Sequence, residues 1–411
     1  MNVLFLTLLD FESLQERNIY TDLLREFVKN GHHVYCISPV ERRKKQNIHL
    51  VQEDGCDILR LKIGNIQKTN VVEKGISTLL IESQFIEGIK KYFSTVKFDL
   101  VLYSTPPITF CRAIEYVKNR DNARTYLMLK DIFPQNAVDL GMMSTTGLKG
   151  ILYRYFRNKE KRLYEISDRI GCMSKANVKY ILEHNPDISP LKVEVCPNCI
   201  DTSSIISLSD LEKKELREKY KIPLDRKVFV YGGNLGKPQG IHFIIECLKS
   251  QLNNEKSFFL IVGDGTEYSH LDNFIKEYRP KNIRLMKRLP KEDYDRMIAA
   301  CDIGLIFLDH RFTIPNFPSR LLGYMQAGLP VLACTDLNTD IGKTIVEGQF
   351  GWWCESNSMN DFFALIQKIN YADIEALNQN SRNYLCQNFS VDGVYAECFF
   401  SLLERIKNED Y

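Results

Sequence analysis

The sequence predicts an α/β protein built from two doubly wound, Rossmann-like parallel sheets in series. Three observations carry this. The chain has 411 residues, beyond the roughly 250–300 at which one core usually divides. Short β-rich runs alternate with helix-spaced runs, the order that builds a parallel sheet covered on both faces. That alternation pauses and restarts at about residue 191.

In the first half, Asn2–Thr7 reads as a buried strand and Arg17–Asn30 as a helix closed by Gly31, a residue suited to the left-handed C-terminal turn. His33–Ser38 and Asp57–Leu61 are the next strands, followed by Asp99–Ser104, a helix from about Phe110, and Ala123–Leu129. Lys149–Ile166 is a long helix and Arg169–Met173 a strand. The second half opens with strand Lys192–Cys196, then Lys227–Tyr231, a glycine-rich loop, and helix Gly240–Leu252. Strands Phe258–Val262, Arg284–Met286, Ile303–Leu308 and Leu329–Cys334 follow, with helices Tyr294–Cys301 and Ser319–Ala327 between them. The expected domains are 1–190 and 191–390. An apolar-periodic helix from Val391, in a segment 391–411, packs back on the first domain. Ligands of open α/β sheets bind beyond the carboxyl ends of the strands, so a cleft between two such ends is the expected site.

Composition narrows the function. Hydrophobic content of 44% and charged content of 26% fit a folded globular chain. A net charge of +2 excludes nucleic-acid binding driven by bulk charge. No run reaches the ~18 apolar residues of a membrane span, and Met1–Leu9 lacks the basic flank and cleavage site of a signal peptide. The 12 cysteines are scattered, several within apolar segments, which points to reduced thiols. Cys196-Pro-Asn-Cys199 has no second pair at zinc-site spacing, and no metal is expected.

Two loops carry anion chemistry. The loop Gly232-Gly233-Asn234-Leu235-Gly236 links a strand to a helix. Glycine lets main-chain N–H groups approach an anion, and a helix start adds a favourable dipole. The spacing is neither the dinucleotide fingerprint nor a P-loop. In the second, Pro318 and Ser319 suit a helix start, and Arg320 offers directed donors to phosphate oxygens. Together they suit a nucleotide diphosphate, with Asn234, Lys237, Ser319 and Arg320 as its ligands.

Six landmarks in order then make the chain resemble glycosyltransferase family 4, the retaining GT-B enzymes. They are Pro197–Asp201, Tyr231–Gly240, Val262–Gly265, Lys287–Pro290, Ala300–Asp302 and Phe317–Pro330. Asn234-Leu235-Gly236 and Asp131–Pro134 are similar to a subgroup that builds bacterial surface polysaccharides on lipid carriers. The resemblance implies GT-B architecture, with the two domains facing across a cleft, and a nucleotide-diphosphate sugar as co-substrate. That sugar would be UDP-linked, an N-acetylated hexosamine being one form. The implied acceptor is a polyprenyl-diphosphate-linked oligosaccharide of capsule, O-antigen or exopolysaccharide. It also adds Gly233, Gln239, Asp264, Leu289 and Asn316 to the donor side. Two family glutamates correspond to Pro315 and Gly323, and a loop Arg and Lys to Asn234 and Gln239. Asn316, Asn338, Thr339 and Asp340 are the polar groups left to hold sugar or ribose.

In the first domain Asp131 stands where relatives often carry a histidine near the transferred sugar, and is the expected catalytic group. A carboxylate there can take the acceptor's proton. Lys130, Glu16 and Arg17 are the expected acceptor contacts. Gly147–Arg169 mixes Leu148, Ile151, Leu152, Tyr155 and Phe156 with Lys149, Arg154, Lys159 and Lys161, which reads either as a core helix with a solvated basic face or as a helix suited to an anionic bilayer surface. The expected location is cytoplasmic, and a polyprenyl-linked acceptor would imply peripheral contact with the inner face of the plasma membrane. Two other readings stand beside this one: a non-catalytic nucleotide-sugar-binding partner, and a GT-B sugar-nucleotide 2-epimerase.

Overall fold

The computed structural model describes residues 1–66, 69, 71–203 and 205–409, without the side chains of residues 71, 72, 74, 75, 148, 149, 408 and 409. The chain forms two compact units, 1–201 with 391–411, and 202–390.

The first unit holds an eight-stranded sheet. Its strands are β1 (Asn2–Leu6), β2 (His33–Glu41), β3 (His49–Glu53), β4 (Cys56–Ile63), β5 (Leu100–Ser104), β6 (Arg124–Leu129), β7 (Arg169–Cys172) and β8 (Val193–Val195). Their order is β3-β4-β2-β1-β5-β6-β7-β8. All described pairs are parallel except β3 with β4. β1 and β5 are buried at four or more consecutive positions, the run expected of strands covered on both faces. The chain winds outward from β1 in both directions, so loops after β1, β5 and β6 share the carboxyl edge near the switch point.

The second unit holds β9 (Lys227–Asn234), β10 (Ser257–Asp264), β11 (Ile283–Met286), β12 (Ile303–Phe307), β13 (Val331–Thr335) and β14 (Gly351–Glu355). Their order is β11-β10-β9-β12-β13-β14, parallel throughout. β9 lies between β10 and β12, which puts the glycine-rich loop at this sheet's switch point. Phe229, Phe259, Ile261, Leu305 and Leu332 form the centre of the core.

Three features differ from the sequence expectation. Strand Lys192–Cys196 was placed in the second domain; as β8 it pairs with β7, and the first unit runs to Asp201. Edge strand β3 was missed because Gln52 and Glu53 interrupt its apolar pattern. β14 and the helices Met359–Asn370 and Glu375–Asn388 lie in a stretch whose periodicity is broken by polar residues. The C-terminal segments Val391–Val394, Tyr395–Phe400 and Ser401–Glu409 are helical, the middle one of π type.

The C-terminal helix belongs to the first core. Phe399 is fully buried, with its ring 4.7 Å from that of Tyr126 and 5.2 Å from that of Phe27. Phe399→Ala should cost about 3–5 kcal/mol, read as an earlier urea step for the first unit with the second unit's step unmoved.

Candidate active site

In the second unit the site begins where β9 ends. Gly233 has φ of +127°, a backbone state that a side chain disfavours. A Cβ there would stand 3.6 Å from Arg320 Cζ. The structure thus brings together the two anion loops read from the sequence. Arg320 begins the helix Arg320–Gln326, and its guanidinium lies 4.5 Å from the centroid of the Tyr231 ring. Its Nη1 is buried and has no hydrogen-bond partner. Among the described residues no carboxylate pairs with it. A buried donor left unmade costs about 1–3 kcal/mol, and such groups call for a ligand or another explanation.

Two tyrosines stiffen this loop from below, and sequence reasoning missed both. Tyr324 Oη accepts from Gly232 N and donates to Leu305 O, each at 3.1 Å. Tyr294, from the helix Lys291–Ala299, packs so closely over Gly232 that a Cβ there would overlap its hydroxyl. The glycine pair was the only local signal for these long-range contacts.

The other expected donor residues divide by what already holds them. Asn234 is exposed, but its Nδ2 donates to Gln239 Oε1 at 3.2 Å. Gln239 is buried and its Oε1 also accepts from Gly236 N at 3.1 Å. Gln239 therefore shapes the loop and takes an amide that had been expected to face phosphate. Lys237 is exposed and enters no ion pair among the described residues. Ser319 is exposed and, contrary to the capping expectation, makes no cap hydrogen bond, which leaves its hydroxyl to solvent or ligand. Asp264, at the end of β10, accepts from Gly265 N at 2.9 Å and stands 3.9 Å from Lys287 Nζ. Leu289 is half-buried in the loop before the Tyr294 helix.

Asn316, Asn338 and Thr339 act mainly within the protein. Asn316 Nδ2 reaches Ile314 O at 3.4 Å, and Thr339 Oγ1 donates to Asn316 O. Asn338 Nδ2 donates to Phe312 O at 2.6 Å. The loop after β13 thereby clamps the loop before Arg320. At Gly323 an added Cβ meets nothing within 4 Å, so the place of one family glutamate is open space.

In the first unit, Asp131 leaves the carboxyl end of β6. Thr105 Oγ1, at the end of β5, accepts from Lys130 N at 3.0 Å and Asp131 N at 3.1 Å. Asn136 Nδ2 donates to Asp131 Oδ1 and Oδ2 at 2.8 and 2.9 Å. Burial pushes the carboxyl up to about 6, against hydrogen bonds from Ile132 and Asn136, with the charge of Glu160 adding to the rise. Lys130 does not pair with Asp131; its Nζ lies 3.5 Å from Cys196 O.

Glu16 corrects an expectation. Its Oε1 accepts from Glu12 N at 2.6 Å and Ser13 N at 3.3 Å, so it holds its own loop. The fully buried Arg60 supports that loop through Asp10 Oδ1 at 2.5 Å and Ser38 Oγ at 2.7 Å. Arg17 remains exposed. The Cys196 and Cys199 thiols are free and buried. No cluster of three or more His, Cys, Asp or Glu suited to a metal occurs among the described residues.

A cavity of about 740 Å³ in the second unit lies at the opposite, amino ends of β9 and β12, lined by Lys227 and Asp302. Arg217 binds Asp302 there with two 2.8 Å contacts. Its charges serve the fold, and it is not the site described above.

A glycine-rich loop at a sheet switch point, beside an arginine without a carboxylate partner among the described residues, in a chain of two Rossmann-like units, fits the GT-B fold. Residues 18–204 match Glycosyltransferase Family 4, and residues 212–384 match Glycosyl transferases group 1. The chain is a GT-B-fold glycosyltransferase related to these two families, and an enzyme of the transferase class. It is 25% identical to the probable glycosyltransferase WbjE of Pseudomonas aeruginosa over 80% of each chain. It is 22% identical to the putative colanic acid biosynthesis glycosyl transferase WcaI of Escherichia coli (strain K12) over 58% of each. Its fold matches Anabaena Alr3699/HepE in complex with UDP-glucose, with TM-score 0.69 and 14% identity over 98% of this chain and 100% of that one.

In the sequence reading, which seats a nucleotide diphosphate on Arg320, Arg320→Ala should weaken UDP binding by about 1.5–3 kcal/mol, the range for a hydrogen bond to a charged group. Isothermal titration should show this as a loss of about 10- to 150-fold.

Proposed function

We propose that this enzyme transfers a sugar, with retention, from a UDP-linked donor of the N-acetylated hexosamine class to a lipid-linked oligosaccharide. The product would belong to bacterial surface polysaccharide. The observation that carries the donor assignment is Arg320, a cation without a carboxylate partner, set against Gly233. A diphosphate supplies the missing charge, and directed donors there stabilise the leaving group as the glycosidic bond breaks. Lys237 and Ser319 are the further groups free to reach it. The colanic acid name of WcaI and the UDP-glucose bound to HepE support the pathway and the nucleotide.

Asp131 takes the acceptor's proton in this reading. A carboxylate that titrates at about 6 is a stronger base than an ordinary aspartate and is still ionised at neutral pH. Incubation with a panel of UDP- and GDP-sugars and polyprenyl-diphosphate-linked acceptors tests the assignment; turnover with no UDP-sugar would overturn it. Asp131→Asn should lower kcat by about 10²–10⁴-fold with UDP affinity unchanged. Wild-type turnover should fall tenfold per pH unit below about 6, as the base is protonated.

The acceptor also implies a membrane surface. Among the described residues no helix is long and apolar enough to cross a bilayer. Ile151, Leu152 and Tyr155 are nonetheless exposed on the helix Gly147–Ile166, and Ile76, Leu79 and Leu80 on Val71–Tyr92. Lys159 Nζ, 3.5 Å from Glu82 Oε2, ties the two helices together. Arg154 and Lys161 are exposed there and enter no ion pair among the described residues. Leu148 and Lys149, also read as part of this face, have side chains outside the described residues. An apolar strip beside free cations suits an anionic bilayer at the inner face of the membrane. The full chain should co-sediment with phosphatidylglycerol vesicles and not with phosphatidylcholine vesicles. Ile151→Ser with Leu152→Ser should abolish this without changing UDP affinity.

A further inference from the structure

Asp131 has one side-chain donor among the described residues, the amide of Asn136, which reaches both carboxylate oxygens at 2.8 and 2.9 Å. That amide is half used. Its Nδ2 is engaged, while its Oδ1 is buried and has no donor. Thr105 holds the main chain on the other side, through Lys130 N, Asp131 N and Asp131 O. Asp131 is thus fixed at its backbone; its carboxyl is met by the main-chain N–H of Ile132 and by Asn136, the one side chain among the described residues that donates to it.

A carboxylate only accepts hydrogen bonds, whereas a carboxylic acid has one proton to donate. A primary amide offers donors on one side and an acceptor on the other. Half a turn about its last bond exchanges them, so the idle Oδ1 would face a protonated Asp131.

We propose that Asn136 is the positioning residue for Asp131, its amide serving the carboxylate before proton transfer and, turned over, the carboxylic acid after it. This rests on the reading of Asp131 as the group that takes the acceptor's proton. In that step the acceptor oxygen bonds to the anomeric carbon and its proton passes to Asp131. The bond from the anomeric carbon to the diphosphate oxygen breaks, with its electron pair leaving on the diphosphate. Asp131 afterwards returns the proton to water.

Other charged groups facing Asp131 are few. Glu160, on the helix Gly147–Ile166, is buried and held by Arg157 Nη1 at 2.6 Å and by Tyr164 Oη at 2.7 Å. Lys130 is turned to Cys196 O, and Asp139 accepts from Gln135 at 2.8 Å. Burial is the largest cause of the raised Asp131 titration, and the Asn136 amide is the side-chain group that opposes it.

The test uses the full chain labelled with carboxyl-¹³C aspartate, the Asp131 signal being identified by its loss in Asp131→Asn. Hydrolysis of UDP-N-acetylglucosamine is followed against pH in parallel. Asn136→Leu removes the donor, and Asn136→Asp places a second carboxyl on the same proton. Both should raise the Asp131 midpoint by at least about one pH unit, since each disfavours the ionised form. The acid limb of hydrolysis should move with it, kcat falling more than KM changes. A midpoint and acid limb unmoved in both variants would overturn the proposal. Asp131→Asn separates the two ideas. If it hydrolyses donor at the wild-type rate, the reading of Asp131 itself fails; if it is inactive while the Asn136 variants titrate as wild type, only the role of Asn136 fails. Should Asn136→Leu not fold, the nearly isosteric Asn136→Asp carries the test.

Discussion

One cation without a countercharge organises the second unit. Arg320 is half-buried, stacked on Tyr231 and bordered by the bare main chain of Gly233. Burying a charge unpaired is costly, so its neighbours must hold it in place without neutralising it. The aromatic face does so, since a ring attracts a guanidinium without offering a carboxylate. Tyr324 and Tyr294 fix the strand end beneath it. The guanidinium and the main chain of Gly233 are therefore oriented by the fold itself.

Asp131 presents the converse case in the first unit. Its carboxyl titrates at about 6 in the fold and at about 3.9 in an unfolded chain. The native state binds the extra proton between those values, so this group's contribution to stability falls as pH rises from about 4 to about 6. At neutral pH the fold carries a cost on the order of 3 kcal/mol, taken as about 1.4 kcal/mol per pH unit. The core of Leu100, Leu102, Tyr126 and Phe399, all fully buried, stands against that cost. An aspartate whose ionised form is disfavoured at a strand end is a cost the rest of the fold must carry.

The parts of the fold legible from sequence were those encoded locally. Buried runs such as Leu100–Ser104 and Ile303–Phe307 announce strands, and the glycine pair before Ile241 announces a turn at a strand end. What escaped depends on distant partners. β8 is three residues long, and only its pairing with β7 assigns it to the first sheet. The site divides in the same way. Gly233 and Arg320 were found because each has a chemical signature of its own. Glu16, Asn338 and Thr339 looked equally available, yet each binds main-chain groups of nearby loops. Nothing in a polar side chain's identity tells whether its hydrogen bonds are already taken. Tyr294 was signalled only by the bare Gly232 it covers, and Asn136 by nothing of its own, since their importance lies in what they touch.

The absence of the family's two glutamates has a physical counterpart in the rest of the site. Gly323 stands three residues after Arg320 on the same helix, and a side chain there would enter open space. Residues at that spacing face one another across a helical turn. No side chain fills that position beside the helix that Arg320 begins. The family resemblance read from the sequence carries two acids here and two bases in the glycine-rich loop. Here Asn234 and Gln239 replace those bases while Pro315 and Gly323 replace the acids. The two losses balance in charge. With neither set present, Arg320 stands beside Gly233 with no carboxylate partner among the described residues, and Lys237 of the loop is the nearby exposed cation.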